Sequence, residues 1–167
     1  MRTSDGGATW QDHRSGAQRD VHSLAWHPAE PGRAYEAAGG GAAWSKDGGE
    51  SWEAADEGRD RHYTWALAVD PGDPDCWFVS ASPGPFEAHG SRPARAALYR
   101  WRGDGPWEEL DLGLPRPLDT MPYALAATSA ELVAALRDGR LFTSDDQGDR
   151  WRLLEAEGLS KVVAMAA

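Results

Sequence analysis

Apolar residues in this chain come in short runs of three to six, each closed by Gly, Pro, Asp or Ser, and no stretch sustains a helical 3.6-residue period. Leu24-Ala25-Trp26, Leu67-Ala68-Val69 and Leu125-Ala126-Ala127 open three parallel series. The first two lead into His27-Pro28 and Asp70-Pro71, each followed by a second proline (Pro31, Pro74) and a further run at 34–38 or 77–81. In the third, Thr128-Ser129 leads to a run at 131–136, and Asp138-Gly139 turns into Arg140-Leu141-Phe142. These runs predict strands one, two and three of a repeated antiparallel unit. A fourth strand is expected at Trp52-Glu53, at 107–110 and at 151–154. The expectation is one all-β domain over 1–167, with units at about 21–56, 63–110 and 121–155 and end pieces at 1–13 and 161–167.

An eight-residue motif sets the phase. Thr3-Ser4-Asp5-Gly6-Gly7-Ala8-Thr9-Trp10, Ser45-Lys46-Asp47-Gly48-Gly49-Glu50-Ser51-Trp52 and Ser144-Asp145-Asp146-Gln147-Gly148-Asp149-Arg150-Trp151 all fit [ST]-x-D-x-G-x-x-W. An eroded copy spans 99–107, where Trp107 survives and the Ser and Asp positions do not. The tryptophans are spaced by 42, 55 and 44 residues, the length of four short strands and their turns. In each motif the Asp and Gly shape a tight turn, the carboxylate and hydroxyl satisfy its N–H groups, and the Trp plugs into the sheet. Ser4, Asp5, Gly7, Trp10, Ser45, Asp47, Gly49, Trp52, Ser144, Asp146, Gly148 and Trp151 are therefore expected to be structural.

The motif and its spacing resemble the BNR/Asp-box repeat β-propellers, whose relatives include sialidases, the sortilin ectodomain and photosystem II assembly factors. The resemblance implies a propeller of about four four-stranded blades with Asp-box hairpins, or an arc of a larger one. It does not specify a function, because one architecture hosts many unrelated sites. Residues 1–13 hold only a third strand, box and fourth strand, while 161–167 reads as a first strand. An uncovered blade face of roughly 500 Å² is at the limit of what a monomer exposes, and leaving it wet forgoes on the order of 12 kcal/mol. The open faces are thus expected to be covered by further sequence, by a second copy of the chain, or by closing 1–13 and 161–167 into one composite blade.

Composition narrows the chemistry. Nineteen Gly, 11 Pro and nine Trp fit many turns between aromatic-rich strands, and a net charge of −10 repels nucleic acid. No apolar run is long enough for a membrane helix and the first ten residues lack a secretory signal core, so a cytoplasmic, membrane-free protein is expected. Cys76 is the single cysteine and is expected to pack within a strand. Neither a metal site nor a cofactor is expected.

In such a fold the box hairpins and the His27-Pro28 and Asp70-Pro71 turns share the bottom face, and the remaining loops share the top. His27 is expected to be a satisfied turn residue, and the charged run 53–61 a solvated loop. The long unit places its extra length on top, in the loop 82–93. Aligning first strands puts His22, Trp65 and Tyr123 at one equivalent position at the channel mouth, with Val163 as the fourth. Tyr63 and His62 lie just outside, beside Asp20 and Arg19, and His89 and Arg92 sit in the long loop. These residues are the candidate ligand site, and polar-tipped aromatic rings there suit a protein, peptide or glycan. The rival reading is a sialidase-like glycoside hydrolase or a fragment of one, with Asp20, Asp60, Glu87 or Asp119 as carboxylates and Arg19, Arg61 and Arg92 as anion binders. The Phe/Tyr-Arg-Ile-Pro segment of sialidases is absent, which favours a non-catalytic binding scaffold and leaves no catalytic residue assigned.

Overall fold

The computed structural model describes residues 1–103, 105–156 and 158–165. Its strands form three four-stranded antiparallel sheets in which spatial order follows chain order. The first sheet holds β1 (Val21–Trp26), β2 (Ala34–Ala38), β3 (Gly41–Ser45) and β4 (Glu53–Ala54). The second holds β5 (Tyr63–Val69), β6 (Cys76–Ser82), β7 (Ala97–Arg102) and β8 (Glu108–Leu110). The third holds β9 (Pro122–Ala127), β10 (Leu132–Leu136), β11 (Leu141–Ser144) and β12 (Arg152–Leu154). Each sheet is one blade, with its first strand innermost: β5 packs on β1 on one side and on β9 on the other. The chain is an arc of a β-propeller. A short helix, α1 (Pro85–His89), interrupts the 82–93 segment that the sequence reads as a plain loop.

Alternation within the strands builds two cores from one sheet. Successive strand residues point to opposite faces, so Trp77, Val79 and Ala81 pack with Tyr35, Ala37 and Trp44 of the first blade. Cys76 and Phe78 turn the other way, toward Leu125, Leu132 and Phe142 of the third blade. All seven residues of β6 are buried. Burial pushes the Cys76 thiol up to about 11, leaving it protonated and unreactive near neutral pH.

Hydroxyl groups tie the blades together inside these seams. Thr64 Oγ1 accepts from the Ala38 N–H at 2.7 Å and lies 2.9 and 2.8 Å from the carbonyls of Ala38 and Gly41. At the next seam Ser80 Oγ accepts from the Ala66 N–H at 3.0 Å and donates to Pro122 O at 2.9 Å.

The boxes close on themselves. Ser45 Oγ accepts from the Gly49 N–H at 2.9 Å and donates to Asp47, whose carboxylate accepts from the Ser51 N–H at 2.9 Å. The same set recurs at Thr3, Asp5, Gly7 and Thr9, and at Ser144, Asp146, Gly148 and Arg150. The turn hydroxyl at the first position is thus Thr3, and not the adjacent Ser4 expected from the sequence. Of the eroded copy, Asp104 lies outside the described residues, while Trp107 is buried. Hydrogen bonds from Ser51 and from Thr9 hold the Asp47 and Asp5 carboxyls far below the usual carboxylate range, and the Ser144 hydroxyl lowers Asp146 in the same direction. A carboxyl depressed by folding stabilises the protein above its unfolded value of about 4 and loses that contribution as pH falls through its folded value. The urea midpoint should therefore fall below about pH 4, and Asp47→Asn should shrink that acid-dependent loss; an unchanged acid limb in the variant would remove Asp47 from the explanation.

A second joint is backbone to backbone. The Trp52, Trp107 and Trp151 N–H groups donate to Ser15 O, Glu57 O and Leu112 O, at 3.0, 2.8 and 2.8 Å, each acceptor lying five residues beyond the preceding Trp10, Trp52 or Trp107. The residue after each acceptor is a glycine with positive φ: Gly16 (78°), Gly58 (88°) and Gly113 (92°). A Cβ there would come within 2.0, 2.7 and 2.0 Å of the Trp carbonyl oxygen, so only glycine lets the loop and the box meet.

The end pieces differ from expectation. Residues 1–13 form a box turn closed by the single pair Arg2 and Gln11, held against the first blade by Arg2 and Arg14 on Glu50. The described part of 161–167 forms no strand; Val162 N–H donates to Arg137 O at 3.3 Å, and Ala166 and Ala167 lie outside the described residues. Among the described residues 1–13 and 161–165 therefore make no composite blade, because no second strand stands between them to carry the ladder.

Candidate binding site at the channel mouth

Three first strands start at the same end of the arc, and the repeat alignment carries an aromatic residue to each start. His22 on β1, Tyr63 and Trp65 on β5, and Tyr123 on β9 meet there. Bulges in β1 and β5 shift the register at these positions and re-aim the side chains. Ring centroids are 4.5 Å apart for His22 and Trp65, 4.9 Å for His22 and Tyr63, and 5.4 Å for Trp65 and Tyr123.

Helix α1 delivers the central group. Pro85 fixes its first turn, buried Ala88 anchors it, and His89 at its end swings over the mouth, 4.4 Å from the Trp65 ring. His89 Nε2 lies 2.9 Å from Tyr63 Oη and Nδ1 lies 2.7 Å from Tyr123 Oη, so one imidazole bridges two phenols. Burial, and then the nearby His22 and Arg137, push the His89 pKa below its ordinary value and favour the neutral ring. Burial raises the Tyr63 hydroxyl, keeping it a phenol. His22 Nδ1 faces Thr64 O at 2.6 Å; a carbonyl only accepts, so Nδ1 carries the proton and Nε2 faces Asp20 at 3.5 Å.

Arg137, in the turn between β10 and β11, closes the group. It donates to His89 O at 3.0 Å and its guanidinium sits 5.7 Å from the Tyr123 ring. From its sequence this segment reads only as a hairpin; the signal for Arg137 is that a loop between strands two and three lies on the top face. Beside the cluster a recess of about 580 Å³ is bounded by Glu87, Arg92, Asp119, Arg137 and Lys161.

Arg92 is exposed on the rim of this recess, while His62 is exposed and makes no hydrogen bond among the described residues. Val163, the expected fourth position, is exposed on the 161–165 segment. Asp60 and Arg61 are held by each other and by Tyr99, whose ring belongs to the seam between the first two blades. Asp119 is bound by Arg140, and Arg19 is exposed. The run 53–61, expected to be a solvated loop, includes buried Ala55 and Arg59, since Arg59 folds under Trp107. His27 is buried, accepting from the Ala29 and Glu30 N–H groups and meeting Asp70 O at 3.0 Å. The mouth thus offers flat aromatic faces and neutral hydrogen-bonding groups, flanked by the Arg137 guanidinium and the Asp20 carboxylate, a surface suited to stacking on a polar ligand.

No family profile matches the chain, and no curated protein matches it. Among solved structures, an ancestral GH74 enzyme is 14% identical over 87% of this chain, with a TM-score of 0.63. The GH74 xyloglucanase from Xanthomonas campestris is 28% identical over 86% of the chain, with a TM-score of 0.61. YCF48 bound to D1 peptide is 13% identical over 89%, with a TM-score of 0.53. The chain spans only 20% and 22% of the two GH74 chains and 49% of the YCF48 chain. The likeness establishes the propeller fold; its bearers include enzymes and binding proteins.

Proposed function

We propose that this protein is a non-catalytic, Asp-box type binding propeller that holds a peptide segment of a partner protein at its channel mouth. The observation that carries the reading is the bridge from Tyr63 through His89 to Tyr123 over Trp65, which assembles neutral donors, acceptors and aromatic faces from two blades, with His22 of the first beside them. The three boxes support placement among BNR/Asp-box propellers, and YCF48 with its bound D1 peptide offers a precedent on a like fold. A glycan is the second reading, favoured by the 28% identity to a xyloglucanase. Glu87 and Asp119 share the recess with Arg92 and Arg137, which keeps the sialidase-like alternative open there, but Asp119 is bound by Arg140, and Asp20 and Asp60 serve separate local partners, which weighs against it.

Screening peptide and oligosaccharide arrays against the 167-residue chain tests the proposal. Trp65→Ala should weaken the captured ligand at least about tenfold, roughly 1.4 kcal/mol, and Tyr123→Phe should weaken it less, with the fold retained. A ligand indifferent to both changes would place the site elsewhere, and turnover of a glycoside lost on changing Asp20 or Glu87 would favour the enzyme.

A further inference from the structure

The joint between box tryptophan and loop glycine is filled three times inside the chain and stands half-made at each end. Gly16, Gly58 and Gly113 lie six residues beyond Trp10, Trp52 and Trp107, and each receives the next box. Gly158 lies seven beyond Trp151, has the same positive φ of 81°, and has nothing within 4 Å of where its Cβ would be among the described residues. Gly158 is a shelf without a box.

Strand four repeats the pattern. The residue three beyond each box Trp faces the following blade: Ala55 is 7% exposed and Leu110 5%, whereas the equivalent Leu154 is 45% exposed. Leu153 and Leu159 beside it are exposed as well. At the opposite end, Trp10 carries the first box, closed by the same hydrogen bonds as those of Trp52 and Trp151, yet its ring is 60% exposed where Trp107 and Trp151 are buried. Trp10 is a box without a shelf.

We propose that a second copy of this chain covers the open end of the third blade head to tail, its Trp10 box seated on the Gly158 shelf and its hairpin over Leu154. The occupant is a second copy because its Trp10 box, closed like those seated on Gly16 and Gly113, fits the Gly158 shelf by the same joint the chain repeats three times. The contact continues an interface already present in the molecule, so it needs no new recognition chemistry. Such a heterologous contact generates a ring or an open chain of copies, and it extends the concave row of first strands from one copy to the next.

Sedimentation velocity and light scattering on the 167-residue chain across a wide concentration range test this. The chain should run as assemblies larger than 18.1 kDa, and Trp10→Ala should raise the dissociation constant at least about tenfold with an unchanged circular dichroism spectrum, since Trp10 is exposed within one copy. Leu154→Asp should do the same from the other end, with Gly158→Ala as a second variant there. Mixing Trp10→Ala with Leu154→Asp should restore a one-to-one complex, because each retains the half that the other lacks. A wild-type chain that stays monomeric, association that survives both single changes, or a mixture that stays monomeric would overturn the proposal.

Discussion

Replacing Trp107 with Ala should cost about 3–5 kcal/mol, the range for emptying a buried tryptophan site. The ring stands edge-on to Trp77 with centroids 4.6 Å apart, and the Arg59 guanidinium lies 5.0 Å from its centroid. Its Nε1–H donates to Ala55 O at 2.6 Å and its backbone N–H to Glu57 O at 2.8 Å, so one residue fastens the second blade to the first. Removing the side chain empties the seam beside a buried cation and leaves the Ala55 carbonyl with Arg59 as its remaining donor, at 3.1 Å. Trp107→Phe keeps most of the packing and loses only the side-chain hydrogen bond, so it should cost about 1–2 kcal/mol. Urea unfolding should show both as shifts of the midpoint at constant slope. Equal costs for the two substitutions would mean that the hydrogen bond, and not the ring volume, dominates.

Thr64→Val should destabilise the chain by about 2–3 kcal/mol although the two side chains have nearly the same shape. Thr64 is fully buried, and its hydroxyl is the acceptor for the Ala38 N–H and a donor toward the turn carbonyls at the end of β2. Valine fills the space and leaves that N–H buried without a partner, the costly half of a broken hydrogen bond. Ser80→Ala is the matching experiment at the second seam, where Ala66 N–H and Pro122 O would lose their partner. A neutral Thr64→Val would show that apolar packing alone holds the first two blades together.

The repeat made much of this readable in advance. Turn residues bracket the strands closely enough that each of the ten located from the repeat overlaps an observed one, and the equivalence of Leu24, Leu67 and Leu125 brings His22, Trp65 and Tyr123 to one place. Legibility stops where structure depends on a neighbour. The 161–167 run has the composition of a strand, yet a strand exists only with a partner to pair with, and the described residues provide none. Helix α1 is too short for its period to show, and Pro83-Gly84-Pro85 reads as a turn, so the sequence places His89 in a loop without showing that it bridges two tyrosines. Arg137 was hidden in a hairpin whose Asp138-Gly139 signal describes the backbone and not what the preceding side chain reaches.

The imidazole held between two phenols makes the mouth directional. A neutral His89 has one N–H and one lone pair, so Tyr63 and Tyr123 cannot play the same part. The tyrosine that accepts from the ring keeps its own hydroxyl proton free to offer outward. The tyrosine that donates to the ring turns only lone pairs toward whatever arrives. A single proton moved from Nδ1 to Nε2 exchanges the two parts, so a ligand bound there as proposed would meet the mouth in either of two opposite polarities, and its own order of donor and acceptor would decide which tautomer is kept.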